Sequence, residues 1–172
     1  MAFACNWVNA TGGTEFYVNA IDQRLAWPGK PGVPPAPKVI PLDPAQQALF
    51  DKGRERYALV CAACHQPDGL GQDGLAPPLL DSPWVLGSPN RLARILFHGL
   101  SGPITVGNVL FRLDMPGLPD FKDEEIAAVL TYIRREWEHN ASPVSIETIK
   151  QARDSTKNRQ SPWTEKELLE IE

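Results

Sequence analysis

Cysteine, methionine and histidine are scarce in this chain of 172 residues, with Cys 3, Met 2 and His 3. Three cysteines are too few for a disulfide scaffold, and their odd number leaves at least one outside any internal pair. With one internal methionine and three histidines, any metal site has a short list of ligands. Long apolar runs are missing too, and nothing approaches the roughly 18 residues of a membrane span. Lys+Arg 17 against Asp+Glu 21 gives a formal charge of −4. The basic stripe of a nucleic-acid binder is absent, so no nucleic-acid partner is expected. The start, Met1-Ala2-Phe3-Ala4-Cys5, lacks the basic and apolar regions of a secretory leader. Either the protein stays where it is made, or the sequence begins after a removed leader or inside a longer chain.

Proline is the opposite case. Pro 17 is roughly twice ordinary usage, and seven prolines stand at 28, 31, 34, 35, 37, 41 and 44. That stretch suits neither helix nor central strand and is expected to run extended as a semi-rigid spacer. Residues 13–27 mix apolar and polar positions in a way that fits a short strand or a helix equally. Residues 1–43 are therefore read as an N-terminal arm and linker, possible remnant of an upstream domain. At about 100–200 residues per domain, one compact domain is left. It is placed at 44–140, with a helical extension at 141–172 wrapping it.

Asp43-Pro44-Ala45-Gln46 opens a helix, with Asp as N-cap, Pro in the first turn and Gln three residues after the cap. Leu49, Phe50, Gly53 and Tyr57 continue it as an apolar stripe. An interior glycine costs about 1 kcal/mol relative to alanine, so it marks close approach by another backbone. The helix runs into Cys61-Ala62-Ala63-Cys64-His65, and residues 66–78 are loop by composition. Ser88-Pro89 caps a second helix carrying Leu92, Ile95 and Leu96, closed by Gly99. Residues 103–114 suggest a hairpin turning at Gly107-Asn108, and Met115-Pro116-Gly117-Leu118-Pro119 reads as a rigid loop. A third helix is expected from about 122 to 139, with Ile126, Val129, Leu130, Ile133 and Trp137 on one face. A polar helix from Ser145 to about Lys157 and a capping box at Thr164–Glu167 complete the chain. This tail is too polar to build a core of its own, and Trp163 is its expected anchor.

Cys61-x-x-Cys64-His65 is the pattern of covalent haem attachment. Each thiol adds to one vinyl group of the porphyrin, and the next residue sets an imidazole beneath the iron. A thioredoxin-type dithiol would follow a strand at a helix start, whereas this motif follows a helix. A zinc site needs a second ligand pair at metal spacing, and the remaining histidines, His98 and His139, do not provide it. If His65 is the proximal ligand, the opposite face is either open or filled by Met or His. Met115 is the only internal methionine, and it lies among turn residues, off any helical apolar stripe where core filler would sit. His98 and His139 fall at helix ends, where a histidine suits the helix dipole, and read as cap or surface residues.

These pieces resemble class I cytochrome c, the mono-haem family with His and Met axial ligands. The resemblance rests on Gly53-x-x-x-Tyr57, Cys61-Ala62-Ala63-Cys64-His65, Pro77-Pro78-Leu79, Met115-Pro116 and Leu130-Thr131-Tyr132-Ile133, across about 44–139. It implies a mainly α cytochrome c fold of three or more helices around a covalently bound haem, with a small β-hairpin and extended arms. The first and last helices would cross at Gly53, and the Pro77 carbonyl would orient His65. A narrower likeness, carried by Trp84-Val85-Leu86-Gly87, Arg91, His98-Gly99-Leu100, Tyr132–Trp137 and Ser161-Pro162-Trp163-Thr164, is to the C-terminal cytochrome module of large secreted dehydrogenases of planctomycetes and verrucomicrobia. Lys122 departs from the family, which usually caps the last helix with Ser or Thr.

The function this implies is one-electron transfer by an electron carrier that transforms no substrate, with one heme c as cofactor. Its axial ligands would be His65 and Met115. Leu79, Leu80, Trp84, Leu92, Ile95, Leu96, Leu113 and Leu118 would be apolar haem walls or plain core. Arg91 and Arg94 would pair with the propionates or be solvated. Redox proteins are the expected partners: an upstream dehydrogenase and a downstream oxidase or cytochrome, met by a monomer or by a domain tethered in a larger chain. The alternative is a haem enzyme or gas sensor with an open distal site. Haem attachment outside the bacterial cytoplasm implies a periplasmic location, with the leader absent from this sequence. Cys5 is left as a free thiol, an intermolecular bridge or a lipid site.

Overall fold

Helix α1 (Pro44–Arg56) starts where its sequence can cap it. Asp43 Oδ1 accepts the Gln46 N–H at 2.8 Å, and Gln46 Oε1 accepts the Asp43 N–H at 3.1 Å. Both otherwise unpaired donors of the first turn are thereby satisfied. The computed structural model describes residues 39–171. The expectations for Cys5, residues 13–27 and the linker as far as Pro37 lie outside the described residues. A π-helical turn, Tyr57–Cys61, joins α1 to the short helix α2 (Ala62–His65), so the Cys-x-x-Cys-His segment rides on the end of one long helical run.

Helix α5 (Asp123–Ile133) packs across α1. Residues Ile126 through Ile133 are all buried. The crossing point is Gly53: a Cβ placed there would collide with the Ala128 carbonyl and lie 2.8 Å from Tyr132 Cβ. Around it Tyr132 packs its ring 5.3 Å from Phe50 and 5.2 Å from Tyr57. At the start of α5, Lys122 has no side-chain acceptor to offer. Half a capping box remains, in which Glu125 Oε2 accepts the Lys122 N–H at 3.0 Å. Glu125 also pairs with Arg56 of α1, tying the two helices a second time.

The third helix of the sequence pattern is shorter than its periodicity suggests, stopping at Ile133 and not near 139. Trp137 and Glu138 adopt left-handed backbone conformations, with φ of 53° and 65°. Trp137 still reaches the core, since its ring lies 5.7 Å from Tyr57 and 5.9 Å from Tyr132. A side chain four residues past Ile133 thus fits the helical stripe while arriving from a turn. Arg134, buried, fixes that turn by donating to the carbonyls of Ser142, Val85 and Gly87 at 2.9, 2.7 and 2.7 Å.

Between α2 and α5 come α3 (Pro83–Leu86), α4 (Pro89–His98) and an antiparallel pair, β1 (Ile104–Val106) and β2 (Val109–Phe111). The pair is in register as Ile104 with Phe111 and Val106 with Val109, so Gly107-Asn108 is its turn. α4 is capped by Ser88 Oγ, which accepts the Arg91 N–H at 3.3 Å. α6 (Ile146–Thr156) has Ser145 as N-cap, and α7 (Glu165–Leu169) has the capping box of Thr164 and Glu167. Two apolar clusters result: one inside the α1–α5 crossing, and a second of Ile95, Leu100, Ile104, Val106, Phe111 and Leu168.

Candidate functional site

The end of α2, the 66–80 loop, α4, β1 and the Met115 loop surround one apolar cleft. Cys61, His65, Pro77, Leu79, Trp84 and Met115 line it. An adjoining space of about 480 Å3 shares His65, Pro77 and Met115 and adds Cys64, Leu75 and Leu113. His65 and Met115 therefore border both.

His65 is buried, and its Nδ1–H donates to the Pro77 carbonyl at 2.9 Å. Backbone bonds hold that carbonyl in place, with Gly71 N–H on the His65 carbonyl at 3.0 Å and Leu79 N–H on the Gly69 carbonyl at 2.8 Å. Burial pushes the His65 pKa below the ordinary imidazole value, against a smaller upward pull from the Pro77 carbonyl. A neutral ring with Nδ1 engaged leaves Nε2 as the lone-pair nitrogen a metal needs. Cys61 is half-buried, and burial, aided by neighbouring Cys64, pushes its thiol up to about 11. Cys64 is exposed. Tyr57, one helical turn before Cys61, donates its hydroxyl to the Gln66 carbonyl at 2.6 Å and closes the cavity floor.

Met115 is pinned through its backbone: its N–H donates to the Leu100 carbonyl at 2.8 Å and its carbonyl accepts the Leu100 N–H at 2.9 Å. Gly99 permits this closeness. Its φ is +78°, and a Cβ there would run into the Met115 carbonyl and come within 2.7 Å of Gly117 N.

The other histidines face elsewhere. His98 Nε2–H donates to Thr156 Oγ1 at 3.0 Å, because that hydroxyl itself donates to Ala152. His139 is buried, and its expected place as a cap or surface residue needs correction in part. Its Nδ1–H caps α5 by donating to the Ile133 carbonyl at 2.8 Å, while Nε2 accepts the Asp81 N–H at 2.9 Å. Among the described residues, no three His, Cys, Asp or Glu side chains gather as a zinc site requires.

Of the expected walls, Leu79, Trp84, Leu92, Ile95, Leu96 and Leu118 line the main cavity, Leu113 the adjoining one, and Leu80 neither. Arg94 turns away to Asn90 and Ser155. Arg91 does not line the cavity. Its guanidinium lies 5.2 Å from the ring of Trp84, and Nη2 donates to the Ile171 carbonyl at 2.8 Å. Its Nε is buried with no partner among the described residues. A buried donor of this kind calls for an acceptor, and a carboxylate reaching past Trp84 has the right chemistry. Sequence reasoning missed Ile104, Val106, Val129 and Ile133 as lining residues, since hairpin and helix alternation gives each of them an equally good place in ordinary core.

A slot between an imidazole and a thioether, walled by apolar side chains and edged by two cysteines, defines a haem-binding helical protein. The profile of the family described as "Cytochrome C oxidase, cbb3-type, subunit III" matches residues 48–133, and the chain belongs to this cytochrome c family. It is similar to cytochrome c-552 of Thermus thermophilus, 38% identical over 89 residues, covering 49% of this chain and 67% of that protein. It is also similar to the cytochrome c subunit of a quinone alcohol dehydrogenase of Gluconobacter oxydans, 33% identical over 119 residues, covering 64% of this chain and 25% of that one. A fructose dehydrogenase cytochrome subunit of Gluconobacter japonicus is 30% identical over 105 residues, covering 59% and 22%. The chain thus spans about a quarter or less of the length of the dehydrogenase subunits. Cytochrome c electron transfer, with haem as cofactor and a carrier's role in place of an enzyme's, follows from the family. No helix among the described residues is long and apolar enough to cross a membrane.

Proposed function

We propose that the chain carries single electrons through one haem bound by thioethers from Cys61 and Cys64, with His65 and Met115 as axial ligands. The observation that supports this best is that His65 and Met115 border the same cavity, with Cys61 on its lining and Cys64 on that of the adjoining space. Bound there, the haem supplies the Fe(II)/Fe(III) couple. Pro77 holds the His65 ring in its ligating tautomer. Leu79, Trp84 and their neighbours exclude water, which together with a neutral thioether ligand favours the reduced state and raises the potential relative to bis-His ligation. The unpartnered Arg91 Nε supports a role for that residue in holding a propionate.

Partners follow from the relatives, two of which are dehydrogenase cytochrome subunits. A dehydrogenase is the proposed donor, and an oxidase or another cytochrome the acceptor. Residues 1–43 would tether the 44–140 cytochrome domain beside the donor, replacing diffusive encounter by a high effective concentration, while 141–172 extends it. Covalent attachment of haem, made outside the bacterial cytoplasm, would put the mature protein in the periplasm.

The test is a visible spectrum of protein matured with the cytochrome c machinery, together with a haem stain after denaturation. Stained protein with a Met–Fe(III) charge-transfer band in the oxidised form, lost in Met115→Ala, is the expected result. Absence of that band with rapid CO binding on reduction would overturn the carrier reading in favour of an open distal site.

A further inference from the structure

Leu100 is bonded on both sides of its backbone. On one side it pairs with Met115. On the other, the tail runs alongside: the Trp163 N–H donates to the Gly99 carbonyl at 3.0 Å, and the Ser101 N–H donates to the Trp163 carbonyl at 2.7 Å. Trp163, Leu100 and Met115 thus lie side by side through two single bridges, with Leu100 in the middle.

We propose that residues 159–171 are a positioning strap for Met115, holding its loop against the cavity through Leu100. This rests on the reading of Met115 as an axial ligand. An isolated pair of short strands is marginal in water, and a third strand with an apolar face is what stabilises it. The strap is fastened from several directions. Leu168 is wholly buried in a cluster with Ile95, Leu100, Ile104, Val106 and Phe111, and the first four of these line the cavity. Glu165 Oε1 accepts the Thr105 N–H of β1 at 2.9 Å. The Ile171 carbonyl accepts from Arg91. Arg159 lies 3.5 Å from the ring of Trp163 and pairs with Glu167 at 2.9 Å, so the strap is also braced on itself. The whole strap lies beyond residue 133, where the family match ends. Its contribution is to the distal ligand and not to the fold of the α1–α5 crossing, since the hydrogen bonds described above run to Gly99, Ser101, Thr105 and Arg91. Without it, the Met115 loop would open more often while the thioethers and His65 stay in place.

The experiment compares three full-length or shortened holoproteins: the natural chain, a chain ending at Asn158, and Leu168→Ala. In the natural chain the ferric charge-transfer band is present. In Leu168→Ala the expected outcome is a weakened band, CO association with the reduced form faster by about tenfold, and exchange of the Met115 and Leu100 amides faster by a similar factor, while exchange at Ile126 and Leu130 of α5 is unchanged. The shortened chain should show the same changes more strongly; failure of that chain to accumulate with haem, alongside unaltered band and exchange in Leu168→Ala, counts against the strap. A band and CO rate within about twofold of the natural chain in Leu168→Ala would overturn it. A natural chain lacking the band would remove the Met115 reading, and the strap with it, whereas a natural chain with the band and unaltered variants removes the strap alone.

Discussion

His65, His98 and His139 are one side chain in three environments, and the environments decide what each does. His65 is kept neutral by burial with its Nδ1 occupied, the state in which an imidazole binds metal. His98 also has a lowered pKa, from burial first and then from the positive charges of Arg159, Arg153 and Arg94. A histidine whose folded pKa lies below its unfolded value of about 6.5 binds fewer protons folded than unfolded in the interval between the two. Its contribution to stability is therefore complete above about pH 6.5 and is lost as pH falls from there through the folded pKa. Urea unfolding of the holoprotein at about pH 5 and about pH 7.5 should show a smaller pH-dependent loss in His98→Gln than in the natural chain. An equal loss would show that His98 is not a source of it. Sequence position alone could not separate these histidines. The pattern Cys-x-x-Cys-His singles out His65, because its chemistry demands that spacing. His139 has no such signature, since its partners Ile133 and Asp81 are set by a turn and a loop that meet only in the folded chain.

At the scale of elements, the α1–α5 crossing was legible because a glycine in an otherwise strong helix has few other uses. Gly53→Ala should destabilise the holoprotein by about 1–3 kcal/mol, the range for forcing a methyl into packed backbone, because its Cβ has no route past the Ala128 carbonyl. Denaturant midpoints would measure this, and an unchanged midpoint would mean the helices can separate without cost. The end of α5 was not legible. Trp137 satisfies the helical apolar period, yet its backbone is left-handed, and what stops the helix is the demand of Arg134 for three carbonyls from distant segments. Charge patterning marks such an arginine as part of a solvated face, and only the fold reveals it as a buried clamp. The tail shows the same limit. Its helix caps follow from local sequence, whereas its strand-like pairing to Gly99 and Ser101 depends on where the Met115 loop comes to rest.

Across the described residues, the cavity and its two axial candidates lie within the fold, and the adjoining space gives them an accessible border. Among the described residues, the exposed side chains on that border are Cys64, Leu75, Leu113, Asp114 and Pro116, while the walls toward β1 and α7 are buried under Leu168. Of these five only Asp114 carries a charge, so encounter there draws on apolar contact more than on steering. If partners reach the haem only through this border, donor and acceptor compete for one landing place and cannot be docked together. Steady-state rates measured with a reduced donor and an oxidised acceptor should therefore give parallel double-reciprocal lines, with excess of either partner inhibiting. Intersecting lines without inhibition would require a second port. With one port the protein would act as a turnstile, passing one visitor at a time, its throughput limited by how quickly each partner steps aside.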